Sequence, residues 1–189
     1  EIDSAPDEAW AHWALGLLHT AQGRFGRAME VIQSGLRIAS EIGHREWEVG
    51  NRLALGVLYA ELLAPEQAQR QLERALTLAG ELRSQYWIHH VTGALAGAYY
   101  LLDDLTQAQT RLETVLSPQT PMDTMGNRYC WARRAELALA QGNPALALDI
   151  TDRLIASAPG MSPGRVITFL WKLKGEALIA MGRTEEAQT

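Results

Sequence analysis

The feature that most constrains the fold of this chain is an internal repeat with a period of about 40 residues. Alanine ends a recurring G-x-x-x-x-A-like segment at positions 28, 68, 108, 147 and 187, so the intervals are 40, 40, 39 and 40 residues. A constant period of this length is typical of helical repeat proteins, in which successive copies of one unit stack on each other. We therefore predict a repeat architecture.

A second series of small residues has the same period and lies twelve residues upstream of the alanines. It comprises Gly16, Gly56, Ala96, Ala135 and Gly175. Glycine inside a helix costs about 1 kcal/mol relative to alanine, so its recurrence at one position of the repeat needs a structural reason. We expect these positions to mark close crossings between the two helices of a unit, where a large neighbouring side chain fills the space.

Apolar spacing predicts that each unit contains a helix A, a tight turn and a helix B. Gly23, Gly142 and Gly182 suit helix C-termini, and Pro65 and Pro144 suit first helical turns. The A helices are expected near 6–21, 45–62, 85–102, 127–141 and 166–181. The B helices are expected near 25–41, 65–82, 105–116 and 144–157, with only the start of one at 184–189. The predicted fold class is all-α, a right-handed superhelical α-solenoid of about four and a half antiparallel helix pairs.

The domain organisation expected from this pattern is a single repeat domain over residues 1–189. Its repeats are expected near 5–43, 44–83, 84–125, 126–164 and 165–189. The proline-containing segments 117–126 and 158–164 are predicted to be surface connections between repeats. Because the chain begins at Glu1 without a methionine, we expect it to be a fragment of a larger multidomain protein.

The small and large residues of the repeat resemble the signature of the tetratricopeptide (TPR) family. The resemblance is carried by Gly16, Gly23, Phe25 and Ala28 in the first unit and by Gly56, Tyr59, Ala68 and Ala75 in the second. A standard TPR unit has about 34 residues, and we expect the extra residues of this chain to lie between each B helix and the next A helix, as in Glu41–Trp47 and Glu81–Trp87.

Longer TPR-like units resemble the MalT-type helical arrays of bacterial signal-transduction ATPases and transcriptional regulators. Tyr129–Ala147 and Leu173–Ala187 are similar to arrays in predicted ATPases fused to cyclase, kinase or DNA-binding domains. The resemblance implies a non-catalytic sensor or protein-interaction module of such a protein, without a cofactor. A standalone peptide-binding adaptor is the alternative.

In TPR-like superhelices the exposed face of the A helices lines a concave groove, which we expect to bind an apolar or helical segment of a partner protein. The candidate groove residues are Trp10, Trp13, Leu17, Leu53, Val57, Glu61, His90, Gly93, Gly97, Tyr100, Tyr129, Glu136, Phe169, Lys172 and Glu176. The glycines are expected to allow close approach of a ligand backbone. A carboxylate-binding clamp is not expected, since only Lys172 carries suitable charge. The other interpretation is that some of these residues belong to the core between repeats, or are covered by preceding repeats, as with Trp10 and Trp13.

Catalysis is not expected, because the sequence has no phosphate-binding loop, H-E-x-x-H, G-x-S-x-G or cysteine pair with metal-ligand spacing. A remote alternative is a helical-repeat enzyme in which Glu136 and Glu176, at the same position of successive A helices, face one cleft. His89 and His90 point about 100° apart on a helix, so a metal site is not expected. Cys130 is expected to be a buried structural thiol.

The charge balance is slightly acidic, with 17 basic and 22 acidic residues and a net charge of −5. Neither nucleic-acid contact nor membrane binding is expected from it. Arg128, Arg133, Arg134 and Arg165 are expected to form a solvated face. A single cysteine fits a reducing compartment, and a cytoplasmic location is expected.

The end of the array is expected to lack a complete covering helix. We predict that the face of Leu173, Ala177 and Leu178 is poorly covered, and that the uncapped solenoid ends allow homo-oligomer formation.

Overall fold

The computed structural model describes residues 4–157 and 165–188, and within these ranges the chain forms helices and turns with no β-strand. The A helices are α1 (Ala5–Ala21), α3 (Arg45–Glu61), α5 (Gln85–Leu101), α7 (Met125–Ala140) and α9 (Arg165–Ala180). The B helices are α2 (Phe25–Glu41), α4 (Pro65–Glu81), α6 (Leu105–Glu113) and α8 (Pro144–Ala156). The predicted A helices and the four complete B helices are therefore confirmed, with α6 three residues shorter than expected.

The 40-residue period arises from longer helices and not from longer connections. Helices α1 to α5 each contain 17 residues, and three-residue turns join them. Two such helices with their two turns account for one period. The prediction that the extra residues lie between the B and A helices is wrong, because only Ile42–His44 and Leu82–Ser84 are outside helices in those segments.

The turns share one backbone conformation, in which the second turn residue has a positive φ. Glycine takes this position at Gly23, Gly43, Gly142 and Gly182, and non-glycine residues take it at Leu63, Arg83 and Asp103. The next residue donates its N–H to a carbonyl in the last helical turn, as from Arg24 to His19 at 2.9 Å. This is the Schellman motif, so the prediction that Gly23, Gly142 and Gly182 end helices is confirmed.

Several helices begin with a side-chain cap that the turn supplies. The capping side chain accepts a hydrogen bond from the backbone N–H three residues later at His44, Ser84, Asp104, Thr124 and Asn143. Each cap satisfies one of the N–H groups that a helix start leaves without a partner. A turn of only three residues can therefore end one helix and cap the start of the next.

Packing follows the order of the chain, as in an α-solenoid. Each helix packs against the next one, and successive A helices also contact each other. Gly16 and Gly56 lie at close helix crossings, as predicted: a Cβ atom on Gly56 would lie 2.5 Å from Cγ of Leu72, and one on Gly16 would overlap Ile32. The prediction is wrong for Gly175, where a Cβ atom would meet nothing within 4 Å. The all-helical solenoid predicted from the sequence is confirmed.

The predicted exposure of Leu173, Ala177 and Leu178 is wrong, since all three are buried. Leu173 and Ala177 belong to a core cluster with Ile150 and Leu154 of α8, so the preceding B helix covers this face. Beyond α9 the chain forms a 3-10 turn at Glu186–Gln188 where the start of a B helix was expected. No helix in the described ranges is long and apolar enough to cross a membrane.

Candidate partner-binding groove

A cavity of about 560 Å³, which we call the central cavity, lies on the A-helix face of the solenoid. It is lined by Leu17, Ala21, Leu53, Val57, Ala60, Glu61, Leu63, His90, Ala94, Gly97, Tyr100, Leu101, Met125, Arg128, Tyr129, Ala132, Arg133, Glu136 and Phe169. Every lining residue belongs to an A helix or, for Leu63, to the turn that follows one. Among the described residues, all five A helices contribute to the lining and no B-helix residue does.

Ten of the fifteen candidate groove residues line the central cavity. They are Leu17, Leu53, Val57, Glu61, His90, Gly97, Tyr100, Tyr129, Glu136 and Phe169. Helical spacing brings them together because residues at i, i+3, i+4 and i+7 share one face of a helix, and corresponding faces of the stacked A helices are neighbours. Their role in binding stays a prediction.

The two tryptophans of α1 do not line the cavity. Trp13 packs against Trp47 and Trp87, with ring centroids 6.0 and 5.6 Å apart, so it belongs to the core between A helices. Trp10 is exposed outside the cavity. The interpretation that some candidates are core between repeats therefore applies to Trp13.

Gly93 is also absent from the cavity wall, because the next A helix covers it. A Cβ atom on Gly93 would lie 2.7 Å from Cδ1 of Tyr129 and 3.4 Å from the backbone nitrogen of Cys130. The small residue allows α5 and α7 to approach closely, and the expected approach of a ligand backbone at this position is wrong.

Lys172 and Glu176 lie outside the cavity lining and pair with each other. Their side chains, one helical turn apart on α9, form an ion pair at 3.0 Å and are largely exposed. Both charges act on the phenol of Tyr100, which places them near the cavity rim. The pKa of Tyr100 is raised, mainly by burial of the phenol and next by the negative charge of Glu136.

Arg133 is a cavity residue that the sequence interpretation assigned to a solvated face. Its guanidinium lies 5.2 Å from the ring centroid of Tyr129 and 5.1 Å from that of Phe169. It donates hydrogen bonds to Glu136 Oε2 at 2.7 Å and to Tyr129 Oη at 3.2 Å. The spacing from Tyr129 to Arg133 to Glu136, four and then three residues, was the available signal that Arg133 shares the groove face.

The guanidinium of Arg133 stays charged, and the carboxylate of Glu136 balances its charge. Burial lowers the pKa of Arg133, but Tyr129 and Glu136 outweigh this effect and raise it. The Arg133–Glu136 ion pair is mostly shielded from solvent. The polar part of the cavity wall is therefore a paired set of charges with little net charge.

Arg128 is also buried, and its side chain links two segments of the chain. It donates hydrogen bonds to the carbonyls of Met122 at 3.0 Å and Leu154 at 2.6 Å, and to Oγ of Ser157 at 2.8 Å. Burial lowers its pKa. Arg128 thus ties the irregular segment before α7 to the C-terminal end of α8, and its expected place on a solvated face is wrong.

The residues considered for metal binding and nucleophilic catalysis take structural partners. His89 Nδ1 bonds to Oδ1 of Asn127, while His90 Nδ1 donates to the carbonyl of Tyr86 at 3.1 Å, so the two rings face different partners. Burial raises the pKa of the Cys130 thiol to about 12, and its Sγ–H donates to the carbonyl of His89 at 3.0 Å. Such a thiol is protonated near pH 7 and is a poor nucleophile.

Comparison with known proteins defines the fold. No protein-family model matches the chain, and no curated protein matches it in sequence. BtubC (BKLC) from P. vanneervenii is similar in structure over 100% of this chain and 85% of its own, with a TM-score of 0.67 and 15% identity.

A Podosopora anserina putative kinesin light chain with nearly identical TPR-like repeats is also similar in structure. The match covers 97% of this chain and 91% of the other, with a TM-score of 0.66 and 16% identity. At this level of identity the likeness concerns the fold alone. The chain therefore has the fold of TPR-like helical repeat proteins.

Proposed function

We propose that this chain is a protein-interaction module whose central cavity binds an apolar segment of a partner protein. The observation that carries the proposal is that all five A helices contribute to one cavity of about 560 Å³. A concave, mostly apolar site with a few convergent polar groups is the usual form of a binding site.

The chemistry of the cavity wall favours a neutral segment. Leu53, Val57 and Phe169 supply apolar surface, and the charge of Arg133 is already balanced by Glu136 at 2.7 Å. A guanidinium has five N–H donors, of which the bonds to Glu136 and Tyr129 use two. Nε is buried in the wall, so we expect the remaining donors on the two terminal nitrogens to meet a main-chain carbonyl of the bound segment.

Tyr100 supplies the second polar contact. The phenol is neutral near pH 7, as for any tyrosine whose pKa is not lowered. Its hydroxyl can therefore both donate and accept a hydrogen bond, and its ring offers an aromatic surface. Residues of this kind frequently dominate the binding energy of protein interfaces.

The enzyme alternative based on Glu136 and Glu176 receives little support. Glu136 pairs with Arg133 at 2.7 Å and Glu176 with Lys172 at 3.0 Å, so each carboxylate is held by a cation on its own helix. A pair of catalytic carboxyl groups must also face one cleft, whereas Glu136 lines the central cavity and Glu176 lies outside its lining.

The wider setting that we propose is a cytoplasmic sensor module of a larger bacterial signalling or transcription-regulating ATPase, with a standalone adaptor as the alternative. The complete reading frame tests it. A phosphate-binding-loop motif upstream of the repeats supports the ATPase setting, and a short frame that encodes only the repeats contradicts it.

The binding proposal is tested with peptides of about twelve residues selected on the purified chain from a random library. We expect Tyr100→Ala to weaken the best peptide at least about tenfold, as for an aromatic interface anchor. Tyr86→Ala is the matched control, since Tyr86 is an exposed tyrosine of the same helix outside the cavity, and it should change affinity less than about twofold. Equal affinity for wild type and Tyr100→Ala, by fluorescence anisotropy, would contradict the proposal.

A further inference from the structure

Leu63 is the most exposed large apolar side chain among the described residues. It lies in the turn between α3 and α4 and is 77% exposed. This turn belongs to the second repeat, with the helix pair α1 and α2 before it and the pair α5 and α6 after it. The exposure of Leu63 is therefore a property of this turn within the array.

The backbone of Leu63 is also strained. Its φ is 54°, in the left-handed region that residues with a bulky side chain rarely adopt. The same position of the other repeats holds Gly23, Asp103, Gly142 and Gly182, all with positive φ. Glycine takes this conformation without strain, and aspartate is enriched in it. The turn alone therefore does not account for a leucine at this position, and residues in such conformations are concentrated at functional sites.

The exposed side chain of Leu63 lines the central cavity. Because successive A helices run in the same direction, the last residues of α1, α3 and α5 lie at the same end of this cavity; they are Ala21, Glu61 and Leu101. Leu101 is 41% exposed, and α3 and α5 contact each other. Packed helices are about 8–10 Å apart, so one inserted side chain can touch both leucines. We call Leu63 and Leu101 the leucine rim.

The residues beside the leucine rim favour an apolar side chain as its occupant. Ala21 and Ala60 also line the cavity here, and their small side chains leave room between the two leucines. An apolar group that enters this space removes leucine surface from water. A carboxylate of the ligand would instead meet the like charge of Glu61, which lines the same end of the cavity.

We propose that the leucine rim determines specificity in the central cavity by taking one large apolar side chain of the bound segment, such as leucine, methionine or phenylalanine. The inference rests on the proposed function, because it names a residue class that the segment must carry. Leucine is retained at position 63 in spite of its strained backbone because glycine or aspartate would not make this contact.

The other repeats supply the test variants. Leu63→Gly and Leu63→Asp introduce the residue types found at Gly23 and Asp103, so both fit the turn. The probe is the best peptide selected on the wild-type chain, measured by fluorescence anisotropy. We expect both variants to weaken its binding at least about fivefold. Leu63→Gly should at the same time raise the midpoint temperature of thermal unfolding by about 1–4 °C, because glycine relieves the strain. A purely structural role of Leu63 would not weaken binding in a stabilised variant.

Leu62→Ser is the matched control. Leu62 is the neighbour of Leu63 in the same turn, is 42% exposed and lies outside the cavity lining, so this variant should change affinity less than about twofold. Leu63→Met keeps an apolar side chain of similar volume and should bind within about threefold of wild type.

Alanine replacement along the peptide locates the side chain that enters the rim. One large apolar position should lose at least about fivefold in affinity for wild type, and this loss should be at least about twofold smaller for Leu63→Gly, because the two groups are in contact. The inference is overturned if Leu63→Gly and Leu63→Asp bind as well as wild type, or if Leu62→Ser loses as much affinity as they do. The proposed function then stands if Tyr100→Ala still weakens the same peptide, and unchanged affinity for Tyr100→Ala as well overturns both.

Discussion

Arg133 occupies the space that a side chain at Gly97 would fill. A Cβ atom on Gly97 would lie 3.2 Å from both Cζ and Nε of Arg133. The absence of a side chain on α5 therefore lets the guanidinium of α7 reach the cavity wall, where it contacts Tyr129 and Phe169. The polar centre of the cavity depends on this pair of residues from neighbouring units.

Replacing Gly97 with leucine should displace the Arg133 guanidinium and reduce the cavity volume. We expect a cavity-selected peptide to bind Gly97→Leu at least about tenfold more weakly, because both the apolar space and the arginine contact are lost. Gly80→Leu is the control, since a Cβ atom there meets nothing within 4 Å. Unchanged affinity for Gly97→Leu, measured by calorimetry, would show that the peptide binds elsewhere.

Two glycines at the same position of the repeat should respond oppositely to alanine. Gly56→Ala should lower the free energy of unfolding by about 1–3 kcal/mol, because its Cβ would lie 2.5 Å from Leu72 and overpack the helix crossing. Gly175→Ala should raise it by about 0.5–1 kcal/mol, since nothing lies within 4 Å of that Cβ and alanine is the better helix former. Urea unfolding measures both, and a destabilised Gly175→Ala would contradict the packing described.

Arg83→Gly should stabilise the chain. Arg83 has a φ of 51°, a conformation that costs a residue with a side chain about 1–2 kcal/mol. The greater flexibility of glycine in the unfolded state offsets part of the gain, so we expect a net increase of about 0.5–1 kcal/mol in the free energy of unfolding. Gly43→Ala, at a φ of 68° in the equivalent turn, should show the opposite sign, and thermal unfolding of the two variants tests the pair.

His90 should make stability depend on pH in the acidic range. Burial lowers the pKa of His90 below its ordinary value of 6.5. The charge of His89 lowers this pKa further, and the hydrogen bond to the carbonyl of Tyr86 raises it in part. His90 therefore binds a proton more tightly in the unfolded chain than in the folded one. Its contribution to the free energy of unfolding is complete above about pH 6.5 and is lost as the pH falls, with a slope of at most about 1.4 kcal/mol per pH unit. We expect His90→Gln to show a smaller slope between about pH 6.5 and 5 in urea unfolding. Equal slopes for His90→Gln and wild type would exclude this role.

The sequence was sufficient for the fold because the repeat combines several independent signals. The alanine and glycine series set the period, apolar spacing indicated helices, and Gly23, Gly142 and Gly182 marked their ends. The turns at Leu63 and Arg83 have no glycine to mark the end of the helix. The helices on either side impose the backbone conformation of these two residues, and the local sequence does not indicate it. A positive φ at a residue with a side chain is an exception to the local preference.

The candidate groove was predictable only in part, because periodicity defines a helix face but not what covers it. Gly93 and Gly97 lie on one face of α5, yet α7 packs over Gly93 and leaves Gly97 at the cavity. Arg133 was missed because an arginine next to Arg134 is typical of a solvated surface. Its ion pair with Glu136 and its contacts with two rings, one of them on α9, depend on tertiary packing.

Photo-crosslinking tests most directly whether the central cavity is the binding site. A selected peptide that carries a benzophenone side chain is irradiated with the wild-type chain, and the cross-linked residues are identified by mass spectrometry. The account predicts cross-links to cavity residues of α3, α5 and α7, such as Val57, Tyr100 and Met125. Cross-links confined to the B helices α2, α4, α6 and α8 would contradict it.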